Sequence, residues 1–178
     1  MSSTHIHPRW FALTVRPNHE CTSELGLLAQ GIEAYVPRYR SRRKWSDRTK
    51  EVNAVLFPGY VFCKFAHAES GRVLRSPGVR SVVGAPREPF PIDDSEVDSI
   101  RKLISCGCPV SPWPYIRNGE QVVIHSGPLA SLRGVVLRTK DAWRVVVSVE
   151  ALGCSASIEV DRDMVAVEKT EAKTICPP

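Results

Sequence analysis

The 178-residue sequence predicts an α+β protein in which a region of mixed strands and helices is followed by a small β-barrel. Three observations predict this class. Strand-like and helical patterns alternate in the N-terminal half, a proline-rich segment occupies residues 105–114, and short Val/Ile-rich runs separated by turns follow it. Apolar residues make up 43% of the chain and charged residues 24%, which is ordinary globular usage and excludes disorder and collagen-like repeats.

The N-terminal half begins with a predicted buried strand, because residues 10–15 form a compact run of aromatic and β-branched residues of strand length. A helix is predicted next, with Asn18 as its N-cap and Gly31 in the left-handed position just past its end. Residues 33–37 are typical of a strand that ends at a proline.

The rest of this half contains a hairpin, two strands and a second amphipathic helix. Residues 38–50 are predicted to form an exposed hairpin, and residues 56–65 a Pro-Gly turn followed by a central strand. Residues 79–83 form a short strand. Asp93 and Glu96 have capping-box spacing ahead of a helical apolar stripe, so a helix beginning there should pack on the sheet.

The proline-rich segment marks a predicted domain boundary. Three prolines and a glycine within residues 105–114 favour an extended, irregular tether. Short strand-like runs follow at residues 121–124, 134–137, 143–149 and 156–160. The prediction is therefore a first domain over residues 8–105, a linker over 106–118 and a barrel over 119–170.

The positive charge is concentrated in the predicted hairpin. The chain has a net charge of +5, and residues 38–50 contain seven basic residues and one acidic residue, so the remainder is nearly neutral. Guanidinium groups bind phosphate oxygens and aromatic rings stack on unpaired bases. The candidate nucleic-acid-binding residues are Arg38, Arg40, Arg42, Arg43, Lys44, Trp45, Arg48 and Lys50. A solvated hairpin whose charge only aids solubility is the alternative, and composition alone does not separate the two.

Patterns of catalytic and metal-binding residues are absent from the sequence. It has no Gly-rich phosphate loop, no Gly-x-Ser-x-Gly and no His-Glu-x-x-His. Cys106-Gly-Cys108 lacks a second Cys/His pair at zinc spacing, so we expect two free thiols on a tether. We therefore expect no catalytic residues, metal or cofactor, and a protein that is not an enzyme.

The compartment is predicted from two absences in the sequence. No run approaches the roughly 20 apolar residues that span a bilayer, and the first eight residues lack a signal-peptide core. We therefore expect a soluble, cytoplasmic protein with reduced cysteines and no membrane partner.

Three motifs in order carry a resemblance to a known family. They are Trp10-Phe-Ala-Leu-Thr-Val-Arg-Pro with Glu20, Leu56-Phe-Pro-Gly-Tyr-Val-Phe, and Gly119-Glu-Gln-Val-Val-Ile-His-Ser-Gly-Pro-Leu-Ala-Ser-Leu-Arg-Gly134. Together they resemble the NusG-type transcription elongation factors, which include specialised paralogues of the RfaH and UpxY kind. The third motif is similar to the KOW motif that opens an SH3-like barrel.

This resemblance implies an N-terminal NGN domain, with an antiparallel sheet flanked by helices, linked to a C-terminal SH3-like KOW barrel. It also implies that an apolar depression on the first domain binds the clamp helices of the RNA polymerase β′ subunit. The matching positions are Trp10, Leu13, Thr14, Phe57, Tyr60 and Phe62. Thr14 stands where some relatives have an aromatic residue, and at least two of the other five are expected to be structural only, because half of a strand's side chains face inward.

The implied function is transcription elongation or antitermination by binding. A factor that prefers the closed polymerase clamp suppresses pausing and needs no nucleotide or metal. The basic hairpin would then lie near upstream DNA or the exposed non-template strand. Because its Trp45-Ser-Asp-Arg sequence looks like that of the UpxY paralogues, we expect a specialised antiterminator.

The barrel departs from the pattern of general NusG factors. Where those tend to carry a Phe-Gly-Arg turn, this chain has Leu152-Gly153-Cys154, which argues against Rho binding because two typical interface anchors are lost. Ribosomal protein S10 is the expected barrel partner. The candidate contact residues are Leu129, Leu132, Ala151 and Leu152. Residues 145–149 favour a strand, so the sequence does not support a barrel that rests as helices.

Two other functions remain as alternatives, the first within the same family and the second from another class. One is a general NusG-like factor that also binds Rho. The other is a ribosome-associated protein that uses its KOW barrel on RNA.

Overall fold

The computed structural model describes residues 7–45, 48–85, 88–114, 120–138 and 143–167, and of residues 42–45, 48–50, 114, 120, 138, 162 and 167 only the backbone is described. The predicted α+β class is confirmed. The N-terminal half contains both helices and strands: β1 (Arg9–Val15), α1 (Glu20–Ala29), β2 (Glu33–Tyr35), β3 (Arg38–Trp45), β4 (Arg48–Val55), β5 (Tyr60–Phe65), α2 (Ser70–Leu74), β6 (Val79–Val82), β7 (Gly84–Ala85), β8 (Glu88–Pro89), β9 (Pro91–Ile92) and α3 (Asp94–Ser105).

The C-terminal half contains strands and short 3₁₀ turns. The strands are β10 (Val110–Pro114), β11 (Glu120–Ile124), β12 (Arg133–Arg138), β13 (Trp143–Val149), β14 (Cys154–Val160) and β15 (Val165–Val167). The four runs predicted as strands from Val/Ile content coincide with β11 to β14, and β13 matches its predicted range. Residues 115–119, 168–170 and Cys176 lie outside the described residues.

An antiparallel sheet forms the centre of the N-terminal half. Its strands lie in the order β2-β5-β1-β6, and β9 also pairs with β1. The strand predicted as central, β5, lies between β1 and β2, with Ala12 opposite Phe62. Because side chains alternate across a strand, this sheet has two apolar faces.

The two faces of this sheet have different coverings. On one face, Phe11, Leu13 and Phe65 pack with Leu27 of α1 and Val73 of α2. On the other face, buried residues of the sheet pack with the apolar stripe of α3. The sheet residues are Trp10, Ala12, Phe62 and Ile92, and the α3 residues are Val97, Ile100 and Leu103. The predicted packing of the helix that begins near Asp93 on the sheet is thereby confirmed.

The ends of α1 differ in part from the prediction. His19, not Asn18, is the N-cap, and Asn18 has a positive φ of 62° in the turn that precedes the helix. Gly31 has φ 72°, which confirms the left-handed position predicted after the helix. The Asn18 prediction failed because asparagine favours both N-caps and left-handed turns, and here it occupies the turn.

The C-terminal strands form one six-stranded antiparallel sheet in the order β10-β14-β13-β12-β11-β15. The prediction of an irregular tether is wrong for Val110–Pro114, which pairs with β14 from Val110 opposite Ile158 to Pro114 opposite Cys154. Pro112 and Pro114 are tolerated because β10 is an edge strand, and alternate positions can direct the missing N–H groups to the open edge.

The two halves share one apolar cluster. The α3 face of the first sheet continues into the interior of the C-terminal sheet, which includes Ile124, Leu132 and Val145. Three element pairs bring the halves together: α3 with β13, β9 with the 3₁₀ turn Glu150–Leu152, and β3 with β10. Among the described helices, none is long and apolar enough to cross a membrane.

Candidate functional site

The aromatic candidates for protein binding lie on the α3 side of the first sheet. The Phe57 and Phe62 rings meet nearly edge to face, with centroids 6.0 Å apart, and Tyr35 lies 6.4 Å from Phe62. Trp10 belongs to the same apolar cluster. The structure therefore brings three of the predicted residues together and adds Tyr35, which the sequence analysis missed.

Leu13 does not join this group. It is fully buried with α1 and α2 on the opposite face of the sheet, because it differs from Trp10 by an odd number of strand positions. The structure thus assigns Leu13 to the core between the sheet and the N-terminal helices. It does not bring Leu13 to the aromatic face predicted as a binding depression.

Burial further separates the remaining candidates. Trp10, Phe57 and Phe62 are each no more than 3% exposed, whereas Thr14 and Tyr60 are half-buried. The Thr14 hydroxyl is 2.7 Å from that of Ser81 on the neighbouring strand β6. The accessible part of the face is therefore the end of the sheet that carries Thr14 and Tyr60, and Tyr60 packs against the cluster that contains the buried rings.

An arginine covers the other end of the aromatic face. The Arg101 guanidinium of α3 lies 5.0 Å from the Trp10 ring centroid and 5.1 Å from that of Tyr35, and Nη2 lies 3.0 Å from Glu33 Oε1. Burial raises the pKa of Tyr35. The sequence analysis missed Arg101 because a charged position on an amphipathic helix is normally assigned to solvent.

The basic hairpin is a separate two-stranded sheet. Strands β3 and β4 pair with each other along their length, from Arg38 opposite Val55 to Trp45 opposite Arg48. Arg40 is exposed. The side chains of the other predicted nucleic-acid-binding residues, apart from Arg38, lie outside the described residues: Arg42, Arg43, Lys44, Trp45, Arg48 and Lys50. The paired backbones of β3 and β4 thus form one two-stranded ribbon, which is called the basic ribbon.

Glu24 of α1 holds the base of this hairpin. Its Oε1 accepts a hydrogen bond of 2.8 Å from the backbone N–H of Val36, and its Oε2 forms an ion pair with Arg38. The Arg38 guanidinium also donates to Cys21 Sγ at 3.3 Å. The charge of Arg38 is therefore already paired with a carboxylate of the same chain.

The predicted partner-binding residues of the C-terminal sheet separate into two pairs. Leu129 and Leu132 are buried in the interior of the sheet, so they are core residues here. Ala151 and Leu152 are half-buried in the 3₁₀ turn Glu150–Leu152, which contacts β9 of the N-terminal half. The apolar pattern did not distinguish the two pairs, since both consist of small or aliphatic residues near turns.

Glu96 of α3 accepts a hydrogen bond from the C-terminal half of the chain. Asp93 is the N-cap of α3 as predicted, but its side chain forms no cap hydrogen bond. The carboxylate Oε1 of Glu96 accepts from the backbone N–H of Glu150 at 3.4 Å. The predicted capping box is therefore only half formed: the Asp93 backbone N–H donates to the Glu96 carboxylate, but the Asp93 side chain does not cap the helix.

Burial raises the pKa of Glu96 above its ordinary value of 4.5, and the negative charges of Asp93 and Glu150 act in the same direction. A raised pKa in the folded state means that the stability contributed by this group is complete below pH 4.5 and is lost as the pH rises through the raised value.

We expect Glu96→Gln to match the parent near pH 4 and to be more stable at pH 7. The gain should stay below about 1 kcal/mol because solvent screens this half-exposed site. Thermal unfolding of both proteins from pH 4 to 8 measures it. Parallel curves across that range would contradict the prediction, and Asp98→Asn, which removes an exposed carboxylate of the same helix, is the control.

No group of three or more His, Cys, Asp or Glu side chains in the described part of the chain could hold a metal ion. Burial raises the pKa of the Cys63 thiol to about 12, so this residue is a packing thiol. The arrangement described above offers instead a half-exposed aromatic face, a basic ribbon and an apolar turn. These are features of binding surfaces.

Comparison with known proteins points to one family. The family model described as transcription termination factor nusG matches residues 8–101, just over half of the chain. A transcription termination/antitermination protein NusG from Buchnera aphidicola is 30% identical over 172 residues, which cover 86% of this chain and 92% of that protein. NusG from Staphylococcus carnosus is 28% identical over 88% of this chain and 94% of its own.

A solved structure shows the same fold. The structure described as the domain interaction in Thermotoga maritima NusG aligns with a TM-score of 0.54 and 20% identity, and the alignment covers 92% of this chain and 98% of that one. At that identity the likeness concerns the fold alone.

Proposed function

Because the chain belongs to the NusG family of transcription factors, we propose that it binds the clamp helices of RNA polymerase and promotes processive transcription. The family consists of transcription factors, not enzymes. The observation that carries the proposal is the half-exposed end of the aromatic face, where Tyr60 packs against the apolar cluster that contains Phe57 and Phe62. Aromatic side chains on a rigid apolar base are typical anchors of protein interfaces.

Such a factor would act through differential binding. A protein that binds the closed clamp more tightly than the open one raises the population of the closed state, and thereby disfavours pausing. No bond is made or broken, so the proposal requires no catalytic group. It also places the protein in the cytoplasm, where bacterial transcription occurs.

The basic ribbon is the proposed nucleic-acid contact. It extends from the first sheet as an independent hairpin whose base is fixed by Glu24, Val36 and Arg38. A clamp-bound protein would hold this ribbon against DNA near the transcription bubble. Phosphate contacts of this kind position a protein and make its affinity depend on salt, without reading sequence.

We expect Arg42→Ala, Arg43→Ala and Lys44→Ala in one variant to weaken the effect on DNA-dependent pausing and to leave polymerase binding measurable. Loss of up to three phosphate contacts should lower the salt dependence of DNA binding by roughly two to three in log–log slope. Pause lifetimes in transcription with the cognate polymerase, and DNA binding at several salt concentrations, measure the two effects.

A matched control changes the same charge elsewhere. Arg16, Arg75 and Arg80 are exposed near the turn between α2 and β6, and β6 is the edge strand opposite β2, which leads into the hairpin. Their triple replacement by alanine also removes three positive charges. Equal loss of activity in both variants would mean that net charge, and not the ribbon, carries the effect.

The turn Glu150–Leu152 is the proposed partner site of the barrel. Leu152 is half-buried and the turn contacts β9, so a partner such as ribosomal protein S10 would compete with the N-terminal half for it. A specialised antiterminator should capture S10 and not Rho. A general NusG-like factor should capture both. Pull-down of purified Rho and S10 by the full chain separates these functions.

A further inference from the structure

Two cysteines frame the turn between α3 and β10. Cys106 is the C-cap of α3, Cys108 follows two residues later, and Gly107 lies between them with φ 74°. No atom lies within 4 Å of the position that a Gly107 Cβ would occupy. The turn is therefore left-handed and open to solvent, and only glycine adopts this backbone without strain.

Both sulfur atoms fold over this turn. Cys106 Sγ lies 3.3 Å from the backbone N of Cys108, and Cys108 Sγ lies 3.9 Å from the backbone O of Cys106. Residues two apart along a chain have Cα atoms within roughly 7 Å of each other, which is the upper limit for a disulfide. The covalent chain thus already supplies the span that a bond between the two thiols needs.

Cys108 is also accessible from a charged cleft. It is exposed, and it borders a cleft of about 340 Å³ between the hairpin base and the end of α3. The cleft is lined by the exposed cation Arg40, by Arg38, whose charge is paired with Glu24, and by Asn53 and Ser105. A small anionic molecule would be attracted to this cleft.

The other cysteines in the described residues lack this combination. Cys63 is buried, with its pKa raised to about 12. Cys154 is half-buried, and burial raises the pKa of its thiol. Cys21 is exposed, but its sulfur accepts a hydrogen bond from Arg38. Only Cys106 and Cys108 among them are two residues apart.

We propose that Cys106 and Cys108 form a redox-active dithiol that exchanges with anionic low-molecular-weight disulfides of the glutathione class. The Cys108 thiolate attacks one sulfur of the external disulfide, a mixed disulfide forms, and one small thiol leaves with the proton. The Cys106 thiol then attacks the Cys108 sulfur and displaces the second small thiol. Two protein thiols are oxidised and one external disulfide is reduced.

The order of attack follows from the environment of the two sulfurs. Burial raises the pKa of Cys106, and its S–H donates to the backbone O of Leu103 at 3.0 Å. The exposed Cys108 is therefore the residue that meets the external disulfide, and Cys106 resolves the intermediate. Oxidation removes the Cys106 donor and with it one hydrogen bond at the C-terminal end of α3.

The test uses the full chain with Cys21→Ser and Cys176→Ser, so that other reactive thiols do not interfere. Excess oxidised glutathione should remove two thiols and lower the mass by about 2 Da, and dithiothreitol should reverse both changes. In this background Cys106→Ser should accumulate a mixed disulfide on Cys108, with a gain of about 305 Da. Peptide mapping locates the bond.

The cleft is tested by the charge of the reagent. Arg40→Ala should slow exchange with oxidised glutathione several-fold and leave exchange with the cationic disulfide cystamine unslowed. Retention of both thiols in excess oxidised glutathione would overturn the proposal, as would modification of Cys106 by glutathione at the parent rate in Cys108→Ser. Circular dichroism of each variant verifies that it folds.

Discussion

Replacing Phe62 with alanine is expected to destabilise the protein by about 3–5 kcal/mol and to lower its melting temperature by on the order of 10 °C. Phe62 is only 1% exposed, and its ring contacts those of Phe57 and Tyr35 at the centre of the α3 face. Removal of the ring leaves a cavity within the apolar cluster that both halves share. Urea and thermal unfolding measure the loss.

The matched variant is Tyr60→Ala, two residues away on the same face of β5. Tyr60 is half-buried, so its replacement should cost about 1 kcal/mol of stability. If Tyr60 lies in the polymerase interface, the same change should weaken polymerase binding by about 2 kcal/mol, close to 30-fold. Phe62→Ala should therefore mainly lower stability, whereas Tyr60→Ala should mainly weaken polymerase binding.

Phe62→Leu distinguishes a supporting role from direct contact. Leucine retains much of the apolar volume, so this variant should fold and bind polymerase at nearly the parent affinity. A Phe62→Leu protein with parent-like unfolding and a large loss of binding would contradict the assignment of Phe62 to the core. It would place the Phe62 ring itself in the interface.

The strands were predictable because their signal is local. The runs that became β1, β13 and β14 contain enough β-branched and aromatic residues for side-chain alternation and turn spacing to define them. The same alternation could have placed Leu13 correctly, since it differs from Trp10 and Thr14 in strand parity. The strand parity was readable from the sequence, but the family resemblance assigned Trp10, Leu13 and Thr14 to one binding surface.

Contacts between distant segments were not predictable from local pattern. Glu20 Oε1 accepts from the backbone N–H of Gly59 at 2.8 Å, and Glu24 accepts from Val36, although acidic residues on a helix are normally assigned to solvent. Glu96 likewise had a local partner in the predicted capping box and found another on the C-terminal sheet. In each case the partner is set by how the chain packs.

The proline-rich segment failed as a tether for a related reason. Residues 105–114 contain three prolines, and proline disfavours central strands, but it does not exclude an edge strand. Pairing with β14 gives Val110 and Trp113 partners that an isolated segment would lack. The prolines marked the boundary between the two halves of the chain. The edge position of β10 could not be predicted, because it depends on how the C-terminal sheet assembles.

Glu24→Ala is expected to destabilise the protein by about 2–3 kcal/mol and to loosen the base of the basic ribbon. The change leaves the N–H of the buried Val36 without its acceptor, and an unsatisfied buried donor costs about 1–3 kcal/mol. It also removes the ion partner of Arg38, which contributes less because Arg38 is partly exposed. Hydrogen exchange at Val36 and urea unfolding measure the two effects.

Two further variants make the Glu24 prediction specific. Glu24→Gln keeps a side-chain oxygen for the Val36 N–H and loses only the charge, so it should recover about half of the stability. Glu33→Ala breaks the exposed ion pair with Arg101 and should cost no more than about 1 kcal/mol. If Glu24→Ala were as mild as Glu33→Ala, the buried carboxylate would not fix the hairpin base. Because Glu24 belongs to α1, a fixed base lets this helix determine the orientation of the hairpin formed by β3 and β4.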